Sequence, residues 1–342
     1  MIGRLGSRPL WSRFMSVKPQ ASGPLASTLS DLLGQSKPVV SVGHTSSILQ
    51  VTKKMLEERA STLFVEENGV VRGIIKEKDV IQHVFESSGN LSALVTDIMD
   101  SDIGYATPSL SIKDSMNLLN EYKQDHLPIL DENFSGKEIS VDDIKLLDIN
   151  YLVSAKYVIG QFYYDVIGGS RDLSGEERLR LEHDAHDIFK FPTVKMLMQA
   201  KKEAAEQKGE LGTIVLNTLV EDQITVSDII CQMTKFRKGS VAILDIIQDV
   251  PILVGIVTEQ DVIRRAISAE LDLGKTLATD IMSKKTENGK LATVNTKDTL
   301  LSCAYKMIDA NVRHLPIVSP KGERIYGMIS SKDVVSFLCK EP

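Results

Sequence analysis

Residues 313–335 read RHLPIVSPKGERIYGMISSKDVV, and this stretch decides the fold. Leu315–Val318 is a short apolar run and Ser319–Gly322 a polar turn with Pro320 and Gly322. Ile325–Ile329 is a second apolar run. Two apolar segments of strand length around a Pro/Gly turn predict a β-hairpin. Ser330 and Asp333 then stand in the S/T-x-x-D spacing of a helix N-cap, so a helix follows. The unit is strand, turn, strand, helix.

The same unit recurs upstream. GIIKEKDVI (residues 73–81), HLPIL with ISVDDI (126–130 and 139–144) and GIVTEQDVI (255–263) repeat its letters in its order. TDIM occurs at residues 96–99 and again at 279–282, and HLPI at 126–129 and 314–317. Two tetrapeptides that recur in the same order at nearly the same offset indicate internal duplication. Four units in two pairs result.

Read in order, the first unit has a short helix near Ser27–Leu33, a strand at Val39–Val42 and a helix over Ser47–Glu58. That helix carries Ile48, Val51, Met55 and Leu56 on one face. Strands at Leu63–Val65 and Val70–Ile75 and a helix starting at Asp79 complete it. The second unit is compressed, with only residues 132–138 between HLPIL and the segment that begins at Ile139. Residues 145–205 interrupt the pattern. Leu152, Ala155, Ile159, Phe162 or Tyr163, and Val166 are spaced for an amphipathic helix. Ser174 and Glu177 form a capping box for a charge-mixed helix to Phe189, and Pro192 opens a last helix to about Lys208. This segment reads as a helical insert, a linker or a partner surface.

Composition limits the function classes. At 342 residues, 42% hydrophobic and 25% charged, the chain has the make-up of a globular protein of two domains. No apolar run is long enough to span a membrane. Cys231, Cys303 and Cys339 are far apart and form no paired motif, so buried thiols are expected rather than metal or redox chemistry. Residues 1–30 hold Arg4, Arg8, Arg13 and Lys18, no acid and many serines. That is the composition of a mitochondrial transit peptide directing the chain to the matrix; a chain without that address would be cytoplasmic. The net charge is −6, and the chain beyond this basic start is more acidic still. Such a surface has no general attraction for nucleic acid. Glu182-His183-Asp184-Ala185-His186-Asp187 reads as a solvated helical face, and no P-loop, dinucleotide-binding glycine motif or zinc-protease motif is present.

The repeated unit resembles the cystathionine-β-synthase (CBS) domain, two of which make a Bateman module. The resemblance rests on the four motifs quoted above and on TDIM before the second unit of each pair. It implies an α/β (α+β) fold of two tandem Bateman modules of β-α-β-β-α repeats joined by a helical insert. The expected divisions are 1–30 transit peptide, 31–145 first pair, 146–207 insert and 208–342 second pair. In that family the cleft between paired repeats commonly binds AMP, ADP, ATP or S-adenosylmethionine, as a regulatory ligand rather than a required cofactor. By resemblance, the hydroxyl that would meet a phosphate and the carboxylate that would take the ribose diol fall to Thr258 and Asp261, Ser330 and Asp333, and Ser140 and Asp143. The first unit keeps Asp79 but has Lys76 where the hydroxyl would stand. His126 and His314 are candidates to line the clefts. Ser/Thr-x-x-Asp is also simply how helices begin, so capping alone remains an alternative at each position. The expected function is a non-enzymatic regulator that senses an adenosyl ligand and modulates an unidentified partner protein. A ligand-free scaffold for dimerisation is the other reading, and a homodimer is compatible with both.

Overall fold

The computed structural model describes residues 27–35, 39–134, 144–168, 173–189, 191–207, 218–220, 224–247, 250–284, 291–320 and 324–339. Most of the proposed transit peptide therefore lies outside the described residues. A 3-10 helix (Leu29–Gln35) is followed by β1 (Ser41–Gly43), α1 (Ile48–Glu57), β2 (Thr62–Glu67), β3 (Val70–Lys76) and α2 (Glu77–Glu86). Then come α3 (Ile112–Glu121), β4 (His126–Leu130), β5 (Ile149–Ser154) and α4 (Ala155–Ile167). Helices α5 (Gly175–Phe189) and α6 (Val194–Gln207) lead to β6 (Thr218–Val220), α7 (Val226–Phe236), β7 (Ser240–Ile247) and β8 (Val250–Thr258). Helix α8 (Glu259–Val262) runs on as a π turn through Ile267. The chain finishes with α9 (Ala278–Ile281), β9 (Ser283–Lys284), β10 (Val294–Asn295), α10 (Leu300–Asp309), β11 (His314–Val318), β12 (Ile325–Ser330) and α11 (Ser331–Cys339).

The hairpins are built alike. β2–β3, β4–β5, β7–β8 and β11–β12 are antiparallel, and each carries a register shift near the far end, at Val65/Glu66, Ile129/Leu130, Ile243/Leu244 and Ile317/Val318. Such a bulge increases the local twist. In each unit the first helical residue donates its amide to a carbonyl just before the first strand of its hairpin. The pairs are Glu77 to Ser61 (3.2 Å), Ala155 to Asp125 (2.7 Å), Glu259 to Gly239 (3.1 Å) and Ser331 to Arg313 (2.9 Å). Helix start and hairpin start are thereby fastened together in all four.

This pattern corrects the reading of the second unit. The strand that pairs with His126–Leu130 is Ile149–Ser154, with His126 opposite Ser154 and Leu127 opposite Val153. Residues 149–167, expected within a helical insert, are the second strand and closing helix of that unit. Leu152 lies in the strand, and the helix begins only at Ala155. Ser140 and Asp143 lie outside the described residues, and the helix after the paired strand follows Ser154, whose side chain makes no capping bond.

The hydrophobic cores cross the boundary between the two pairs. Helices α1 and α2 of the first unit pack on α7, α8 and the π turn of the third, joining Ile48, Val51, Met55, Val80 and Ile81 to Ile229, Ile230, Met233, Ile263 and Ile267. Helices α3 and α4 of the second unit pack on α10 and α11 of the fourth, and Phe191, Val194 and Leu197 join that same core. Each fully buried Ile, Leu or Met contributes roughly 1.5–3 kcal/mol, against about 0–1 for an exposed ion pair. The apolar helix faces therefore hold the pairs together. Smaller cores lie between paired sheets, with Phe64, Ile74, Leu130 and Ile149 in one pair and Ala242, Leu244, Ile256 and Ile325 in the other.

TDIM has a structural role. Its methionine lies over the glycine that opens each GII/GIV motif. A Cβ on Gly73 would sit 2.8 Å from the Asp100 carbonyl and 3.0 Å from Met99 Sδ; one on Gly255 would sit 2.5 Å from Met282 Sδ. Only glycine admits so close an approach. Among the described residues no helix is long and apolar enough to cross a membrane.

Candidate functional site: the capped aspartates and the central junction

The two helix starts of the C-terminal pair share one geometry. Asp261 Oδ2 accepts from the Thr258 amide (2.9 Å) and hydroxyl (2.7 Å). Asp333 Oδ2 accepts from the Ser330 amide (2.8 Å) and hydroxyl (2.9 Å). In return Thr258 Oγ1 and Ser330 Oγ accept from the Asp261 and Asp333 amides. One carboxylate oxygen is thus committed to the cap and fixes the side chain's direction. The other meets side chains from elsewhere. Asp261 Oδ1 accepts from Ser283 Oγ (3.3 Å) and lies 3.5 Å from Arg265 Nη1. Asp333 Oδ1 pairs with Lys201 Nζ of α6 at 2.6 Å. Desolvation alone would raise the Asp333 pKa, but Lys201, Lys238 and the Ser330 amide together hold the carboxyl down at about 2. Ser283, Arg265 and Lys201 were not legible as site residues, because they belong to no motif themselves and, for Ser283 and Lys201, the partner aspartate is distant in sequence.

The N-terminal pair is different. Asp79 Oδ2 accepts from the Lys76 amide at 2.9 Å, while the buried Lys76 side chain turns to Asp100 at 2.6 Å. Desolvation raises the Asp79 carboxyl. In the second unit the residue three after the cap is Tyr157, not an aspartate. The Ser154 hydroxyl is buried and has no partner among the described residues. His126 lies within hydrogen-bonding distance of Thr62 Oγ1 (3.2 Å) and Ser61 Oγ (3.5 Å). It lines a small pocket with Val40, Glu58, Ala60, Ser61, Thr62 and Leu152.

Charged groups meet where the four units converge. Arg313 pairs with Glu77 at 2.8 Å and Lys332 with Asp125 at 2.7 Å, each pair joining one module to the other. Glu77 Oε1 is buried without a partner among the described residues. Glu259 lies there too; desolvation, followed by the neighbouring Asp125, pushes its carboxyl up to about 7. His314 is packed against Gly239, whose Cβ, if present, would lie 3.1 Å from Nε2. Desolvation, followed by the Arg313 charge, pushes the imidazole down to about 4, so His314 is neutral at pH 7. Within the histidine-carboxylate segment of α5, Glu182 has a structural role. Glu182 accepts from Tyr163 (2.6 Å) and Arg178 (2.9 Å), and Arg178 lies 3.8 Å above the Tyr305 ring.

Comparison with known proteins follows from this geometry. A family model described as the CBS domain matches residues 29–86, 95–136 and 278–340. The third unit falls outside those segments but has the same element order and capping. The chain is 30% identical over 153 residues to "CBS domain-containing protein CBSX3, mitochondrial" of Arabidopsis thaliana, covering 45% of this chain and 68% of that protein. It is 29% identical over 120 residues to the Arabidopsis CBS domain-containing protein CBSCBSPB5, covering 34% of this chain and 21% of that larger protein. Among solved structures, protein MJ1225 of Methanocaldococcus jannaschii, described as an archaeal homologue of γ-AMPK, superposes with a TM-score of 0.55. That match is 16% identical and covers 88% of this chain and 96% of that one; it shows a shared fold.

Proposed function

The chain belongs to the CBS-domain family, and from that premise we propose that it is a non-enzymatic regulatory protein which binds an adenosine-containing ligand in its C-terminal pair and passes occupancy to a partner protein. The observation that carries this reading is the matched pair of aspartates. Asp261 and Asp333 each spend one oxygen on the cap and hold the other toward side chains of a neighbouring element. An ionised carboxylate accepts only, so the second oxygen, once its present donors are displaced or shared, suits the two donor hydroxyls of a ribose. The ligand would touch both halves of a pair. The first unit shares a core with the third and the second with the fourth, so a change of angle in one pair loads the other. A ligand shifts such an equilibrium by its differential affinity for the two arrangements.

A structural role is proposed for the N-terminal pair. Lys76 fills the hydroxyl position and bonds Asp100, and Tyr157 replaces the acid, which favours the scaffold reading for that half alone. A mitochondrial address is proposed from the basic, acid-free residues 1–30, in line with the name of the Arabidopsis relative. A reporter carrying residues 1–30 should enter mitochondria; cytosolic retention would refute the address.

Thermal unfolding in AMP, ADP, ATP and S-adenosylmethionine tests the ligand reading. A ligand at 100 times its Kd stabilises by about 2.7 kcal/mol, enough for a shift of several degrees. No shift with any of the four overturns it.

A further inference from the structure

Lys201 enters the fourth unit's cleft from α6, a helix outside the repeats. The first turns of α6 are docked by buried Val194 and Leu197, and the Thr193 strand bridge to Thr299 precedes them. Beyond Lys201 the side chains at 202–204 and 206 are exposed. Lys201 is thus the last described residue of α6 turned onto the body of the protein, and it ends on Asp333 at 2.6 Å. Lys238 approaches from the third unit. It follows Arg237, the left-handed C-cap of α7, and precedes β7. Lys238 is half-buried and makes no ion pair among the described residues. Burial pushes its amine's pKa down, and the Lys201 ammonium pushes the same way, while Asp333 opposes both.

Around Asp333 cations outnumber carboxylates. Lys201 and Lys238 bring two ammoniums to one carboxylate, Asp333. Arg313 and Lys332, elsewhere at the junction, have their own carboxylates in Glu77 and Asp125. His314 is neutral at pH 7, and Glu259 is only partly ionised there. A half-buried, uncompensated ammonium is costly unless a ligand supplies the anion. In the N-terminal pair the position corresponding to Lys238 is an alanine. Ala60 follows the left-handed Arg59 as Lys238 follows Arg237, and it lines the pocket beside His126. Of these two corresponding positions, only the one near Asp333 is a lysine.

We infer that this cleft selects a phosphorylated nucleoside over an uncharged or cationic adenosyl compound, with Lys201 and Lys238 setting the choice. The inference rests on the adenosine reading above. Asp333 takes the diol, and the two ammoniums, one from α6 and one from the third unit, take the phosphate oxygens. S-adenosylmethionine adds a sulfonium to a site that is already positive.

Calorimetric titration of the full chain tests this, with Asp261→Asn present throughout to silence the other cleft. The probes are AMP, adenosine and S-adenosylmethionine. AMP is expected to bind at least about tenfold tighter than either of the others, as charge-assisted hydrogen bonds require. Lys201→Met and Lys238→Met should each weaken AMP several-fold and leave adenosine unchanged, while Lys201→Arg keeps the preference. Adenosine or S-adenosylmethionine binding as tightly as AMP overturns the selectivity and leaves the adenosine reading standing. So does a Lys201→Met variant that binds AMP as well as or better than the parent. No binding by any probe overturns the adenosine reading at this cleft, and the selectivity with it.

Discussion

Arg313 Nη2 donates to Glu77 Oε2 at 2.8 Å, joining two residues 236 positions apart on opposite sides of the module boundary. The Glu77 side chain is only 2% exposed and that of Arg313 19%. Removing one partner of such a pair leaves the other desolvated and unpaired. Glu77→Ala should destabilise the protein by about 3 kcal/mol in urea unfolding. Glu77→Ala with Arg313→Met should recover part of that loss. A single variant that costs less than about 0.5 kcal/mol would show that the pair is solvated and does not fasten the modules.

Gly255→Ala places a Cβ 2.5 Å from Met282 Sδ. Overpacking of this kind costs about 1–3 kcal/mol. Gly73→Ala should cost at least as much, since the obstructing atoms include the Asp100 carbonyl, which belongs to the backbone. Gly69→Ala tests a different cause, because nothing lies within 4 Å of that Cβ and only its φ of +80° opposes substitution. Denaturation midpoints of the three variants check the order.

The central junction makes stability depend on pH through two opposing groups. Burial lowers His314 to about 4 from 6.5, so its contribution is complete above pH 6.5 and is lost as pH falls toward 4. Glu259 is raised from 4.5 to about 7, so its contribution is complete below pH 4.5 and is lost as pH rises through 7. Glu259→Gln should therefore gain more stability than the parent between pH 5 and 7, and His314→Asn should gain less. Urea midpoints at the two pH values measure both differences, and the reverse order would contradict the assignments.

How much of this was visible in the residues differs from unit to unit. Hairpins with short turns and a glycine before the helix start announced themselves, as at 70–79, 250–261 and 325–333. The second unit did not. Its paired strand, Ile149–Ser154, comes after a long connection and runs straight into an apolar helix, so Leu152, Ala155 and Ile159 mimic one continuous helical stripe. ISVDDI carried the right letters, but the strand that pairs with β4 lies further on. The cores were legible only as apolar faces, since periodicity cannot say that α2 covers α7 or that α4 covers α10. Lys201 was invisible for the same reason. Its partner Asp333 is brought to it only by the packing of α6 on the fourth unit.

The most direct measurement is calorimetric titration of AMP into the full chain and into the Asp261→Asn, Asp333→Asn double variant. Asparagine keeps one oxygen for each cap but replaces the second acceptor with a donor, so the fold should persist while the diol loses its partner. The parent should bind AMP and the double variant should lose at least about tenfold in affinity with its secondary structure unchanged. AMP binding that survives intact in the double variant would contradict the account.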